Sequence, residues 1–264
     1  MSRLNLTHIR KMKQEQNKIA MLTAYDASFA HLLEQAGVDV ILVGDSLGMV
    51  VQGQESTLPV TVDEIIYHTR NVVRGSQSVF VIADMPFMSY SNHDQAITNA
   101  ARLMAEGGAQ MVKLEGGAVI ADTVKQLTER GIPVCAHLGL LPQSVHRLGG
   151  YRVQGKDDDA AQRLIDDAKA LQNAGADMVV LECIPAALAK KITQVLTIPV
   201  IGIGAGTDCD GQVLVLYDML GLTIGKRPRF SHDFLADAGA IPAAINKYVQ
   251  EVKSGSFPTI EQQF

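Results

Sequence analysis

The stretch AGADMVVLEC, Ala174–Cys183, decides the fold. A small residue ends a helix, a glycine turns the chain, an unbroken apolar run follows, and an acid closes it. The same layout recurs as AGVDVILVGD (Ala36–Asp45) and GGAQMVKLEG (Gly107–Gly116). Glycine in that place suits the left-handed residue that follows a helix C-terminus. An apolar run without polar alternation is how a strand buried on both faces looks.

Outward from these three repeats, similar runs lie at about Ile19–Asp26, Val38–Asp45, Val79–Asp84, Met111–Glu115, Val134–His137, Met178–Cys183, Val200–Gly204 and Val213–Leu220. The segments between them have helical spacing. Ile97, Ala100, Ala101 and Met104 share a face, as do Ala161, Leu164, Ile165, Ala168 and Leu171, and again Leu188, Ala189, Ile192 and Val195. Thr61, followed three residues on by Glu64, predicts a capping box that starts a helix. Strand–helix alternation on this scale leaves a closed (β/α)₈ barrel or an open doubly wound sheet. The acidic strand ends and the length of 264 residues favour the barrel. The expectation is α/β, a single TIM-barrel domain over residues 1–264, with a short N-terminal extension and C-terminal helices from about Ser231.

With 47% hydrophobic residues the chain can bury a large core, and without Trp that core must be aliphatic. The net charge is −5 without basic clusters, which argues against nucleic acid as a partner. No run has the length of a signal peptide or a membrane span, so a cytoplasmic protein with no membrane partner is expected. Cys135, Cys183 and Cys209 lack metal-ligand spacing and read as reduced, buried thiols.

Active sites of such barrels sit at the C-terminal ends of the strands. The residues standing there are Asp26, Asp45, Asp84, Glu115, His137 and Glu182. One acid at a strand end is more often a helix cap than a ligand. A whole series around one rim, without a cation, would suffer repulsion and desolvation. Either a metal is bound or some acids point away, and Asp26 is the candidate for capping the helix that follows it. Alternation in a strand puts Lys113 on the same face as Glu115, one layer deeper. A carboxylate set without a His/Cys cluster suits Mg²⁺ or Mn²⁺ rather than zinc. Gly202–Gly206 could cradle an anion or allow close backbone approach. Gly149–Gly155 reads as a mobile loop over the mouth or as a structural turn.

These residues also carry a family likeness. TAYDASFA (Thr23–Ala30), VGDSLGMVVQG (Val43–Gly53), STLPVTVDEI (Ser56–Ile65), ADMPFMSY (Ala83–Tyr90), MVKLEGG (Met111–Gly117), HLGLLPQS (His137–Ser144), GGYRVQG (Gly149–Gly155), LECIP (Leu181–Pro185) and IPVIGIGAGTDCDGQVLV (Ile198–Val215) resemble the ketopantoate hydroxymethyltransferase family, in the same order and over most of the chain. The resemblance implies a barrel of the phosphoenolpyruvate/pyruvate-binding type. It implies transfer of a hydroxymethyl group from 5,10-methylenetetrahydrofolate to 3-methyl-2-oxobutanoate, in pantothenate synthesis. By motif it implies that Asp45 and Asp84 bind Mg²⁺, that Glu115 belongs to the metal's surroundings, directly or through water, and that Ser46 and Lys113 hold the 2-oxo acid. Glu182 would be the general base, with His137 nearby. The partners implied are the 2-oxo acid, the folate and further copies of the chain, the family forming large homo-oligomers (decamers). Leu141 stands where the family often has Thr, and Ala136 where Gly is common. Two rivals remain at this point. One is a Mg-dependent carbon–carbon lyase of the same barrel group, whose Lys-Cys-Gly-His loop this sequence lacks; the other is a non-catalytic ligand-binding barrel.

Overall fold

A computed structural model describes residues 3–264. Eight parallel strands close into a barrel in chain order. They are β1 (Ile19–Thr23), β2 (Val40–Val43), β3 (Phe80–Asp84), β4 (Met111–Glu115), β5 (Val134–Gly139), β6 (Met178–Glu182), β7 (Val200–Ile203) and β8 (Gly211–Leu214). Helix α1 (Leu6–Gln14) precedes the barrel and α2 (Ala27–Gln35) follows β1. The β2–β3 connection holds α3 (Leu47–Val50) and α4 (Val62–Gly75). Then come α5 (His93–Ala105), α6 (Ala121–Thr128), α7 (Val145–Leu148), α8 (Asp158–Asn173) and α9 (Ala186–Val195). After β8 the chain forms α10 (Leu216–Met219), α11 (Phe234–Ala238) and α12 (Ile241–Ser254). No helix among the described residues is long and apolar enough to cross a membrane.

The three repeats do what their glycines suggest. Gly37, Gly108 and Gly175 take φ of +82°, +86° and +102°, each between a helix end and the next strand. A side chain there would be strained. Thr61 and Glu64 form the expected capping box at the start of α4. The apolar faces pack inward with trimmed edges: Ala96, Ala100 and Leu103 are the buried residues of α5, whereas Ala101 is exposed. On α9, Leu188, Ala189 and Ile192 are buried, while Val195 is 45% exposed. All three cysteines are free and buried.

The last expected strand, Val213–Leu220, is shorter and earlier in the structure. Its second half is α10, begun where the Thr23 hydroxyl accepts a hydrogen bond from Leu216 N–H. A continuous apolar run carries no period to distinguish the two states. The alternation also breaks once, because no helix joins β7 to β8. Residues 204–210 return along the barrel as a loop, and the glycines of Gly202–Gly206 make that possible. A Cβ on Gly206 would lie 2.6 Å from Ala186 Cβ, and one on Gly204 would lie 3.0 Å from Phe230 Cβ and 3.1 Å from Phe264. Close approach accounts for this glycine run without an anion.

The strand starts are tied by a repeated device. Asp39, Asp177 and Asp210, each next to the first residue of a strand, accept the backbone N–H of Ala20, Val134 and Val200 on the preceding strand. Each of these acids also meets a cation: Lys253, Arg10 and Lys13. Two of those cations come from α1, which covers this end with Ile9 fully buried. The ring is fastened where β1 meets β8. There the Tyr248 hydroxyl of α12 lies 2.9 Å from the Met21 carbonyl and 3.0 Å from that of Gln212.

Candidate active site

At the opposite end, the strand termini bring Asp45, Asp84, Lys113, Glu115, His137 and Glu182 into one cluster. Register explains the grouping. Asp84 pairs with Lys113 across β3–β4, Glu115 with His137 across β4–β5, and Glu182 with Gly139 across β5–β6. Register partners in a parallel sheet project to the same side. The Lys113 ammonium is ion-paired with Asp84 Oδ1 and lies 3.8 Å from Glu115 Oε1. Asp84 Oδ2 accepts the Asp45 N–H at 2.9 Å. His137 bridges two acids, with Nδ1 3.4 Å from Glu115 Oε1 and Nε2 3.2 Å from Glu182 Oε2. Ser46, just after Asp45, has its hydroxyl 2.8 Å from that of Tyr25.

Asp26 does not join them. Its carboxylate accepts the Phe29 N–H and caps α2. The chain leaves β1 at Thr23, so Asp26 lies beyond the rim rather than on it.

Charge at this end is under-compensated. Asp45, Asp84, Lys113, Glu115 and His137 are all at most 6% exposed, and the Glu182 side chain is 13% exposed. Burial, then the charges of Asp84 and Glu115, hold the Asp45 carboxyl well above the usual carboxylate range. Burial raises Asp84 too, against the pull of Lys113. Burial also opposes the Glu115 carboxylate, but His137, Lys113 and the Gln143 N–H outweigh it and lower its pKa. For His137, burial and Lys113 press downward, and hydrogen bonding to Glu115 and Glu182 lifts it to about 9. For Lys113, burial disfavours the charge, while Asp84, Glu115 and Asp45 raise its pKa above that of an ordinary lysine.

Among the described residues, no three His, Cys, Asp or Glu side chains form a ready metal cage. Mg²⁺ does not require one, since it takes one or two carboxylates with water and substrate oxygens. Asp45 and Asp84 are buried hard-oxygen donors, and among the described residues Asp45 has no ion-pair partner, so the pair fits such an ion. Both Glu115 oxygens are already engaged, Oε2 by the Gln143 N–H at 3.0 Å and Oε1 by His137.

Two further groups were not singled out by the sequence, and a third, Cys183, stood out only as a buried thiol. Gln143, 6% exposed, donates from Nε2 to Asp45 Oδ2 at 2.9 Å and to the Met85 carbonyl at 3.0 Å. Its Oε1 accepts from the Tyr90 hydroxyl at 2.6 Å. Asp218 on α10 is buried, which raises its carboxyl, while Thr223 and Arg227 pull it back. The available signal for Asp218 was an acid inside the last apolar run, Val213–Leu220; a neutral amide such as Gln143 offers none. Cys183, immediately after Glu182, has φ of +48°. A residue other than glycine there is strained, and such strain collects at functional sites. The Gly149–Gly155 loop reaches this point: Gln154 N–H donates to the Cys183 carbonyl at 2.9 Å, and the Tyr151 hydroxyl lies 3.5 Å from Met49 Sδ.

A closed parallel barrel with buried acids and a lysine gathered at the C-terminal mouth is a (β/α)₈ barrel with the residues of an active site where such enzymes carry theirs. Solved structures share the fold. Phosphonopyruvate hydrolase superposes with a TM-score of 0.64 at 14% identity, covering 99% of this chain and 93% of that one. Phosphoenolpyruvate phosphomutase from Streptomyces platensis subsp. rosaceus gives 0.63 at 16%, covering 83% of each. The sequence profile described as Ketopantoate hydroxymethyltransferase matches residues 3–260, and the chain belongs to that family. It is 64% identical over its whole length to the 3-methyl-2-oxobutanoate hydroxymethyltransferase of Nitrosococcus oceani, and 61% identical to that of Shewanella loihica, covering all of both relatives. The chain is therefore an enzyme rather than a binding scaffold.

Proposed function

We propose that the enzyme transfers a hydroxymethyl group from 5,10-methylenetetrahydrofolate to 3-methyl-2-oxobutanoate, giving 2-dehydropantoate and tetrahydrofolate for pantothenate synthesis in the cytoplasm. The observation that carries the chemistry is the gathering of Asp45, Asp84, Lys113, Glu115, His137 and Glu182 into one contiguous, largely buried cluster at the strand ends. Family membership supports the choice of substrates.

In this reading Asp45 and Asp84 hold Mg²⁺, and Glu115 belongs to its surroundings. When bound, the ion supplies Lewis-acid polarisation of the 2-oxo group and neutralises the buried carboxylates. Ser46 and Lys113 bind the 2-oxo acid, and the lysine charge favours electron density building on the 2-oxo oxygen. Glu182 takes the proton from the branched carbon beside the carbonyl. The folate's methylene carbon is held by two nitrogens; both carbon–nitrogen bonds break as that carbon bonds to the branched carbon and to the oxygen of one water, and the proton taken from the branched carbon and the second proton of the water end on the two nitrogens. His137, 3.2 Å from Glu182, orients that carboxylate. The family's habit of assembly supports a large homo-oligomer, which light scattering of the purified protein would measure. In the same reading residues 1–264 form one barrel domain with a short N-terminal extension and C-terminal helices.

The test is deuterium exchange at the branched carbon of 3-methyl-2-oxobutanoate, followed by NMR with Mg²⁺ and no folate. Exchange at an enzyme-dependent rate is expected. No exchange with or without folate would overturn the reading.

A further inference from the structure

We infer that Gln143 is a positioning residue, the clamp that sets the Asp45 and Glu115 carboxylates relative to each other for the divalent ion. This rests on the metal reading given above. The residue sits in the short helical turn Pro142–Ser144 after β5, yet it reaches the ends of β2, β3 and β4 together.

Its bonding leaves no freedom. The Met85 carbonyl can only accept, so the amide nitrogen must face it and Asp45 Oδ2, and the amide oxygen must face Tyr90. The Tyr90 hydroxyl lies 2.6 Å from that oxygen and 3.3 Å from both the Glu115 carbonyl and the Glu115 N–H. The backbone N–H of Gln143 donates to Glu115 Oε2 at 3.0 Å. One residue thus holds a carboxylate with its side chain and another with its main chain, and Tyr90 fixes the amide between them. Among the described residues Asp45 Oδ1 has no hydrogen-bond partner, so the clamp turns one oxygen toward the protein and leaves the other for a ligand. A neutral amide is also the group the charge balance calls for. A carboxylate at 143 would add repulsion, and a lysine would compete with the incoming cation.

Groups that orient metal ligands contribute about 10–100-fold in metal affinity or activity. The experiment is a Mn²⁺ titration of the full-length enzyme, reading free Mn²⁺ by EPR, beside thermal unfolding without metal. Gln143→Leu keeps the side-chain volume and removes the donors. The expected result is a Kd for Mn²⁺ raised about 10–100-fold while the metal-free Tm holds or rises. Tyr90→Phe keeps the amide but frees it, and a smaller rise, about 3–10-fold, is expected there. Wild-type affinity in Gln143→Leu overturns the inference, as does a loss of affinity no larger than the loss of folded protein. If that variant fails to fold, unchanged affinity in Tyr90→Phe overturns it instead. A wild-type enzyme that binds no Mn²⁺ would refute the metal reading, and the inference with it, which sets that failure apart from the others.

Discussion

The two ends of the barrel are built from the same residue types and do opposite things. Where the strands begin, Asp177 and Asp210 each accept a backbone N–H and face a cation from α1. Where the strands end, Asp45, Asp84, Glu115 and Glu182 share Lys113 and His137. Acids at the first end are matched one to one and complete the backbone's hydrogen bonding. Acids at the second outnumber their partners and are buried, so they want something from outside the chain. Matched charge holds the fold; unmatched charge marks where a ligand goes.

Substitutions can break that contrast. The largest effect belongs at the mouth: Glu182→Gln should lower kcat by about 10²–10⁴ while Tm stays near the wild-type value. Near-normal turnover would remove Glu182 as the base. Next comes the closed end. Asp210→Ala strips the acceptor from the Val200 N–H, 2.8 Å away, and leaves Lys13 without its 2.7 Å partner. A loss of about 1–3 kcal/mol of stability follows, seen as a lower midpoint in urea, with kcat per folded molecule unchanged.

Asp218 sharpens the comparison through pH. Burial raises its carboxyl, so at neutral pH its charge works against the fold. As pH falls through that raised value, the folded chain takes up the proton before the unfolded chain does, and stability is regained down to the ordinary value of 3.8. Asp218→Asn should therefore raise Tm at pH 8 by roughly 2–4 °C, with the advantage over wild type shrinking on acidification. A constant advantage across pH would mean that the gain is not electrostatic. The smallest effect is expected away from both ends. Arg102→Ala breaks exposed pairs with Asp63 and Glu106 on the outer helices and should leave Tm and kcat alike unaltered.

How much of this was legible depended on chemistry that leaves a mark in the residue order. Asp45, Asp84, Glu115, His137 and Glu182 stood out because each ends an apolar run, and alternation brought in Lys113. Asp26 shows the limit of that rule, since a cap and a rim acid look alike until the strand's last residue is known. Gln143 carries no charge and sits in a turn, so only its neighbours in space reveal it. The bare loop between β7 and β8 was hidden because glycines that permit close packing resemble glycines that hold an anion. Val215–Leu220 could be strand or helix until the Thr23 hydroxyl met Leu216.

The fastening beneath Tyr248 has a consequence for how the chain reaches this state. Its hydroxyl joins positions 227 residues apart, at the junction of the first strand and the last. Until β1 and β8 meet, each keeps an unpaired edge, the kind of surface that invites pairing with another chain. Contacts so remote in sequence form slowly. The enzyme is thus most exposed to aggregation late in its assembly, when seven-eighths of a cylinder waits for its final stave.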